Sequence, residues 1–213
     1  MTPIEYFKEN KYVVIRNFIP TDTVPLYYEY CKMQAQSIDY KITNFENLYD
    51  KKWDGEFTDQ QVTNVFSKYG DILMDSTLKL LTYKAEEYTG LKLLPNYSYW
   101  RLYEKGSILK KHKDRLSCEI SATLNLGANL SNIDKQIYSN YQWPIFVSSN
   151  GKDIPIHLEP GDAMIYRGCE IEHWRDEFIG LNNAQVFFHW NEKNGPYSIE
   201  NDGRPLLGIP PVS

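Results

Sequence analysis

Short apolar stretches separated by turn residues dominate the chain from residue 97 onward. Runs of β-favouring residues that recur between turns predict the strands of an all-β sandwich or barrel. Turns such as Asn150-Gly151 and Pro160-Gly161 punctuate these runs. The eight predicted strands are YSYWRLY, LKKHKD, CEISATLNL, WPIFVSS, IPIHL, AMIYR, IEHWR and AQVFFHW.

Before residue 97 the pattern is mostly helical. We predict a short helix and a strand at 12–15 ahead of Pro20, then a helix from Thr21 through about Gln36. Residues 70–89 carry apolar side chains at helical spacing, which predicts a helix with Gly90 as its C-cap. Residues 37–60 are predicted to be a long irregular loop. Its aromatic residues (Tyr40, Phe45, Tyr49 and Trp53) make it a candidate substrate lid, and packing over the barrel explains them equally well.

Together these patterns predict a mainly β fold with N-terminal helices, of the α+β class, built around a jelly-roll core. We expect a single domain over residues 1–213. Within it, 1–96 form helical support and a lid, and 97–190 form the jelly-roll core. Residues 191–213 form a turn-rich tail that wraps the barrel or becomes ordered with substrate.

Composition narrows the class of protein. A hydrophobic content of 42% and an aromatic content of 15% provide a packed core and argue against disorder. The net charge of −5 and the lack of a long basic stripe argue against nucleic-acid binding. The three cysteines form no CxxC motif, the charged N-terminus holds no signal-peptide core, and no apolar run is long enough to span a membrane. We therefore expect a soluble cytoplasmic protein.

Candidate chemistry lies in two of the predicted strands. Side chains alternate faces along a strand, so His112 and Asp114 should point the same way. His173 lies in the seventh predicted strand, which can face the second across a double sheet, at one mouth of the barrel. Two histidines and one carboxylate leave metal positions open, as in non-heme Fe(II) oxygenases. A His-x-Asp pair alone is a weak signal, and the KKHKDR run also fits a polar surface strand.

Three segments in this order resemble the catalytic domain of the 2-oxoglutarate- and Fe(II)-dependent dioxygenases, prolyl 4-hydroxylase-like members in particular. They are YWRLYEKGSILKKHKDRLSCEISATLNLG, EPGDAMIYRGCEIEHWRDEF and QVFFHW. The motif Tyr103-x-x-Gly106, followed by His112-x-Asp114, is similar to the sequence that precedes and includes the first metal ligands in that family. The resemblance spans roughly residues 97–190.

The resemblance implies a double-stranded β-helix that binds Fe(II) through His112, Asp114 and His173. It implies 2-oxoglutarate and O2 as co-substrates, ascorbate as a supporting reductant, and hydroxylation of a substrate C–H bond with release of succinate and CO2. A peptidyl proline, another protein side chain and a free small molecule stay open as substrates. Neither a nucleic acid nor a membrane is an expected partner, and the oligomeric state is left open.

One part of the family pattern is missing. Prolyl hydroxylases of this type place a Lys or Arg on the last barrel strand to bind the far carboxylate of 2-oxoglutarate, and this chain has Asn182, Asn183, Ala184 and Gln185 there. Arg175 is our first replacement, because it should share a face with His173, and an Arg fork suits a carboxylate. A rim salt bridge to a neighbouring acid is its alternative role. Arg101 is our second candidate, with Tyr103 and Thr123 as hydroxyl contacts to 2-oxoglutarate.

Two other functions stay open at this stage. The missing cation keeps alive a non-catalytic jelly-roll module that binds metal or peptide. A cupin-type metalloenzyme would need further histidine ligands near His112, which the sequence lacks. The remaining histidines, His157 and His189, are expected to be structural.

Overall fold

Two antiparallel sheets form the fold, with helices packed on the larger one. The computed structural model describes residues 1–134, 136 and 139–210. The α-helices of these residues are α1 (Pro3–Asn10), α2 (Val24–Asn44), α3 (Lys51–Asp54) and α4 (Ile72–Thr89). The strands are β1 (Tyr12–Ile15), β2 (Val65–Tyr69), β3 (Leu93–Glu104), β4 (Leu109–His112), β5 (Ile120–Asn129), β6 (Ile145–Ser149), β7 (Lys152–Ile156), β8 (Ala163–Tyr166), β9 (His173–Arg175) and β10 (Asn182–Glu192).

The order of the strands is not their order in the sequence. The six-stranded sheet runs β1-β8-β5-β10-β3-β2, and the four-stranded sheet runs β4-β9-β6-β7. Every pairing within them is antiparallel. Met164 and Tyr166 of the larger sheet share an apolar cluster with Ile145 and Val147 of the smaller one. The two sheets therefore face each other across a common interior.

The side chains of β10 point alternately toward the helices and toward the interior between the sheets. Val186, Phe188 and Trp190 are buried in the cluster that also holds the apolar faces of the helices. Phe187 is on the opposite face and packs with Tyr103 and Leu109 between the sheets. Period-two alternation thus gives each strand of the larger sheet one face for the helices and one for the interior.

Capping residues define both ends of α4, the helix that was predicted most accurately. Asp71 caps α4 by accepting hydrogen bonds from the backbone N–H groups of Leu73 and Met74, and Gly90 ends it with φ of 73°. The prediction of a helix over 70–89 with Gly90 as C-cap is confirmed. The helix predicted to end near Gln36 instead continues to Asn44, so Tyr40 lies on a helix rather than in a loop.

All eight strands predicted after residue 97 are present, some with shifted ends. The mainly β architecture with N-terminal helices is confirmed. The region 1–96 is more than helical support, because β1 and β2 belong to the six-stranded sheet. Its strand β2 lies in a stretch for which we predicted no element.

The C-terminal tail packs against the body as far as it is described. Arg204 forms a buried ion pair with Asp75, with Nη1 to Oδ2 at 3.1 Å. The backbone N–H of Gly208 also donates to Asp75 Oδ2, at 2.7 Å. These contacts attach the tail to α4, and residues 211–213 lie outside the described residues. Among the helices of the described residues, none has the length and apolar character needed to cross a membrane.

Candidate functional site

Strand pairing brings two histidines together with a carboxylate. His112 at the end of β4 lies opposite His173 at the start of β9, and their ring centroids are 4.3 Å apart. Asp114 Oδ1 is 3.7 Å from His112 Nε2 and 3.5 Å from His173 Nε2. One ligand atom from each residue falls within 4.8 Å of the others. Two imidazoles and a carboxylate at this spacing suit a divalent metal such as Fe(II).

The route to this cluster differs from our prediction in two respects. We expected Asp114 on the same strand as His112, but β4 ends at His112. Asp114 is instead held by its backbone N–H, which donates to Gly168 O at 2.9 Å. We also expected the two histidine strands to face each other across the sandwich, and this was wrong. They are hydrogen-bonded neighbours in the four-stranded sheet.

Backbone carbonyls orient both imidazoles. His112 Nδ1 is 2.7 Å from Lys110 O, and His173 Nδ1 is 3.3 Å from Ile171 O. With a metal bound, a proton on each Nδ1 would leave both Nε2 lone pairs free for the metal. Burial, followed by the proximity of His173, lowers the pKa of His112. Neutral imidazole is the form that binds metal.

The second oxygen of Asp114 has its own partner. Ser121 Oγ donates to Asp114 Oδ2 at 2.7 Å, and it is also 3.0 Å from Nδ1 of the buried His189. Burial alone raises the pKa of Asp114, but hydrogen bonding and charge from His173, together with Ser121, outweigh it and hold the pKa well below its usual value. Burial lowers the pKa of His189 to about 4. The carboxylate is therefore ionised and the His189 imidazole neutral at neutral pH.

Arg175 is a buried cation whose hydrogen-bond partners are all neutral. It is 1% exposed and lies two residues beyond His173 on the same face of β9. Nη1 donates to Trp143 O at 2.8 Å, and Nη2 donates to Gln185 Oε1 at 3.2 Å and Thr123 Oγ1 at 3.4 Å. Nε has no partner among the described residues. Burial lowers the pKa of Arg175 to about 10, as expected for a guanidinium without a carboxylate partner in the described chain.

Arg101 lies in the same interior but carries a counterion. Its Nε donates to Asp59 Oδ2 at 2.8 Å, and its Nη2 donates to Gln61 Oε1 at 2.9 Å. Burial works against the charge of Arg101, but the neighbouring Tyr103, Tyr99 and Asp59 raise its pKa above the usual value. The guanidinium is thus already neutralised by the chain.

Tyr103 and Thr123 are fully buried between the sheets. The Tyr103 hydroxyl accepts from Arg101 Nη1 at 3.4 Å, and its ring meets Trp143 edge-on at 4.9 Å. Thr123 Oγ1 contacts both Arg175 Nη2 and Gln185 Oε1, each at 3.4 Å. The two hydroxyls therefore lie next to the two candidate cations.

A cavity of about 690 Å³ opens beside the cluster. All three cluster residues and several aromatic rings line this cavity, whereas Arg175, Tyr103 and Thr123 do not. The predicted lid supplies part of the wall, but its aromatic residues Tyr40, Phe45, Tyr49 and Trp53 do not line it. The lid residues that line the cavity are polar: Lys51, Glu56, Thr58, Asp59 and Gln60, and Gln61 follows directly after them.

Sequence analysis missed four residues of this arrangement. Asp59, Gln61, Ser121 and Gln185 each hold another site residue by a hydrogen bond. Gln185 had a detectable signal, because it occupies the stretch where a cation was expected. Asp59 and Gln61 had none, since Arg101 is about 40 residues away in sequence. Ser121 had none either, because its contact with Asp114 depends on a turn that no local pattern predicts. His157 is exposed beyond the end of β7, and His189 is buried within hydrogen-bond distance of Ser121.

No protein-family model and no curated protein matches the sequence. Solved structures do match. A Pseudomonas putida prolyl-4-hydroxylase has a TM-score of 0.62 at 12% identity, over 89% of this chain and 96% of that chain. HygX from Streptomyces hygroscopicus, with nickel, 2-oxoglutarate and hygromycin B bound, has a TM-score of 0.58 at 12% identity, over 90% and 87%. A Trichoplax adhaerens prolyl hydroxylase in complex with a hypoxia inducible factor peptide has a TM-score of 0.59 at 12% identity, over 90% and 89%.

The chain has the fold of the 2-oxoglutarate- and Fe(II)-dependent oxygenases. The resemblance found in the sequence is confirmed at this level, including its likeness to prolyl hydroxylases. The oxygenase fold extends beyond the 97–190 segment that carried the resemblance, since the matches cover about nine tenths of the chain.

Proposed function

We propose that the protein is an Fe(II)- and 2-oxoglutarate-dependent dioxygenase. It hydroxylates a substrate C–H bond and releases succinate and CO2. The observation that carries this proposal is the cluster of His112, Asp114 and His173, whose ligand atoms lie within 4.8 Å of one another at the wall of a cavity. The nickel and 2-oxoglutarate bound to HygX, a structure of the same fold, support it.

The proposal includes two finer features of the fold, a jelly-roll core and a single domain. The two facing sheets are the two halves of a jelly-roll, the double-stranded β-helix. Residues 1–213 make up one dioxygenase domain, in which β1 and β2 complete the larger sheet and the helices support it from outside. The cavity of about 690 Å³ beside the cluster provides the room for the substrate in this proposal.

His112, Asp114 and His173 hold the metal in this proposal. When bound, Fe(II) supplies open coordination positions for the ketoacid and O2 together with the redox chemistry of C–H oxidation. The chain supplies neutral imidazoles oriented by Lys110 O and Ile171 O, and a carboxylate kept ionised. Ascorbate serves as a supporting reductant.

Arg175 binds the far carboxylate of 2-oxoglutarate. An unpaired buried guanidinium is costly, and a dicarboxylic co-substrate supplies the anion that the described chain does not. Thr123 and Tyr103 add hydroxyl contacts, and Gln185 orients Arg175 by accepting from Nη2 at 3.2 Å. The glutamine thus stands where related prolyl hydroxylases have a cation and supports the arginine that replaces it. Arg101 is the weaker candidate because Asp59 neutralises it.

The substrate occupies the cavity beside the cluster. Its volume of about 690 Å³ falls within the range of small-molecule sites. Both a peptidyl side chain, as for the Trichoplax enzyme, and a small molecule, as for HygX, are substrates of proteins with this fold. Peptidyl proline is the peptide candidate, because the resemblance is to prolyl hydroxylases. The polar lid residues between Glu56 and Gln61 would contact either one.

Succinate formation tests the proposal. We expect the protein, supplied with Fe(II), 2-oxoglutarate, ascorbate and O2, to release succinate slowly even without substrate, because decarboxylation runs uncoupled. Asp114→Ala should abolish this release while the protein keeps its thermal transition. A wild-type protein that binds Fe(II) and forms no succinate would contradict the proposal and favour the non-catalytic binding module. An active Asp114→Ala protein would remove the carboxylate from the metal centre.

A further inference from the structure

We propose that Ser121 is a positioning residue that determines which oxygen of Asp114 faces the metal, and that His189 orients Ser121 for this task. The inference rests on the metal site of the proposed function. It adds a hydrogen-bonded chain, from Asp114 through Ser121 to His189, on the side of the carboxylate away from the two histidine ligands.

The two oxygens of Asp114 have different surroundings. Oδ1 is 3.5 Å from His173 Nε2 and 3.7 Å from His112 Nε2. Oδ2 accepts the hydroxyl hydrogen of Ser121 at 2.7 Å. Since that hydrogen bond engages Oδ2, the carboxylate presents Oδ1 to the metal position.

The direction of the hydrogen bonds follows from counting protons. A serine hydroxyl has one hydrogen and accepts through its lone pairs. Two acceptors compete for that hydrogen, Asp114 Oδ2 at 2.7 Å and Cys118 O at 3.2 Å, and the charged, closer carboxylate is favoured. Ser121 then accepts from His189 Nδ1, which lies 3.0 Å away. His189 is itself packed against Tyr97, with ring centroids 4.5 Å apart. A neutral imidazole with its proton on Nδ1 therefore fixes the rotation of the Ser121 hydroxyl.

The hydrogen bonds from Asp114 through Ser121 to His189 also separate two groups of potential metal ligands. Asp114 belongs to the cluster with His112 and His173 and to a second group with Cys118 and His189. Ser121 Oγ lies between two members of the second group, 2.7 Å from Asp114 Oδ2 and 3.0 Å from His189 Nδ1. Cys118 Sγ is already 2.9 Å from Tyr97 Oη. The hydroxyl of Ser121 thus keeps the shared carboxylate in the histidine cluster.

Close packing leaves the Ser121 side chain little freedom. A Cβ on Gly168 would lie 2.3 Å from Asp114 Oδ2 and 2.7 Å from Ser121 Oγ. The glycine therefore makes the room in which the carboxylate and the hydroxyl meet. Partners that orient a metal ligand typically contribute about 10- to 100-fold to metal affinity.

Titration calorimetry with Mn(II) on the full-length protein tests the inference without turnover. We expect Ser121→Ala to weaken Mn(II) binding by about 10- to 100-fold, and Ser121→Thr, which keeps the hydroxyl, to restore most of it. Ser98→Ala is a matched control, because Ser98 is also fully buried and donates to a carboxylate, Asp75 Oδ1, at 2.7 Å. It should lower the thermal transition without changing Mn(II) affinity.

A second pair of variants covers the case in which Ser121→Ala fails to fold. His189→Asn offers an amide N–H near the position of Nδ1 and should bind Mn(II) within a few-fold of wild type, whereas His189→Leu should bind more weakly. Visible spectra with Co(II) should change in His189→Leu and stay the same in Ser98→Ala, because only the former alters the metal's surroundings. Unchanged Mn(II) affinity in a folded Ser121→Ala or His189→Leu protein would overturn the inference. A wild type that binds Mn(II) normally and forms no succinate would contradict the proposed function alone.

Discussion

Two arginines lie buried in the interior between the sheets, and they differ in what neutralises them. Arg101 donates to the carboxylate of Asp59 at 2.8 Å, whereas Arg175 donates to the neutral oxygens of Trp143, Gln185 and Thr123. A buried guanidinium is costly unless an anion joins it. The first therefore holds a segment of the chain in place, and the second suits an anionic ligand.

The site likewise has two halves, one built on paired strands and one built on a loop segment. The two histidines of the proposed metal site and Arg175 are positioned by the paired strands β4 and β9, so their spacing follows from sheet register. The other wall is formed by the polar segment 56–61, whose Asp59 is attached to Arg101. We expect changes in the first half to remove metal or co-substrate binding, and changes in the second to spare both.

The largest effect expected from this contrast concerns Arg175. Arg175→Gln should weaken 2-oxoglutarate binding by more than about 100-fold, or about 3 kcal/mol, because truncating a buried charge pair leaves the other charge unpaired. Arg175→Lys should also weaken it, by less, since an ammonium lacks the bidentate fork. Calorimetry with 2-oxoglutarate on the Mn(II)-loaded protein measures both, and Mn(II) affinity itself should change little.

Arg101→Lys is the matched control for these variants. It keeps a cation beside Asp59 and should leave 2-oxoglutarate affinity within about twofold. If Arg175→Gln bound 2-oxoglutarate as wild type does and Arg101→Lys did not, the two arginines would exchange roles. The contrast between the halves would then be wrong.

An intermediate effect is expected from the glycine beside the metal ligand. Gly168→Ala places a methyl group 2.3 Å from Asp114 Oδ2 and 2.5 Å from Cys118 O. Overpacking of this kind costs about 2 kcal/mol of unfolding free energy. Because the clash is with the ligand itself, Mn(II) affinity should also fall. Denaturant unfolding and metal calorimetry report the two effects, and an unaltered Mn(II) affinity would show that the carboxylate moves aside freely.

The predictable part of this molecule is the part that sheet periodicity governs. The eight strands after residue 97 and the ligand set of His112, Asp114 and His173 were all derived from sequence, and the three residues do meet. The alternation argument nevertheless failed for Asp114, which lies beyond the end of β4. A backbone hydrogen bond to Gly168 brings it to the metal position instead, and no local pattern encodes that contact.

The loop half was harder to predict for a physical reason. The aromatic residues of 37–60 suggested the lid, but Tyr40, Phe45 and Trp53 are largely exposed, and the residues of this stretch that line the cavity are polar. Asp59 becomes a site residue only because Arg101, distant in sequence, lies beneath it. Single-sequence patterns carry no signal for such long-range ion pairs, whereas they carry a strong one for the strands.

The smallest effect on metal and co-substrate binding is expected at Asp59, whose contribution to stability depends on pH. Asp59 Oδ1 accepts from the backbone N–H groups of Gln61 and Val62, and Oδ2 accepts from Tyr99 and Arg101. Burial alone raises the pKa of Asp59, but the charge of Arg101 and these hydrogen bonds outweigh it and hold the pKa below its usual value. Asp59→Asn keeps a carbonyl acceptor for the two backbone groups but leaves the buried Arg101 without its anion, so we expect a loss of about 3 kcal/mol at neutral pH.

The sign of the pH dependence separates a charge effect from a packing effect. A carboxyl group with a lowered folded-state pKa stabilises the protein fully above the unfolded pKa of about 3.9, and this contribution is lost as pH falls through the folded value. The stability difference between wild type and Asp59→Asn should therefore be constant near neutrality and shrink below about pH 4. Denaturant unfolding across this range measures it. A difference that stayed constant into acid would mean that Asp59 holds the 56–61 segment by shape rather than by charge, and uncoupled succinate release should be unchanged either way.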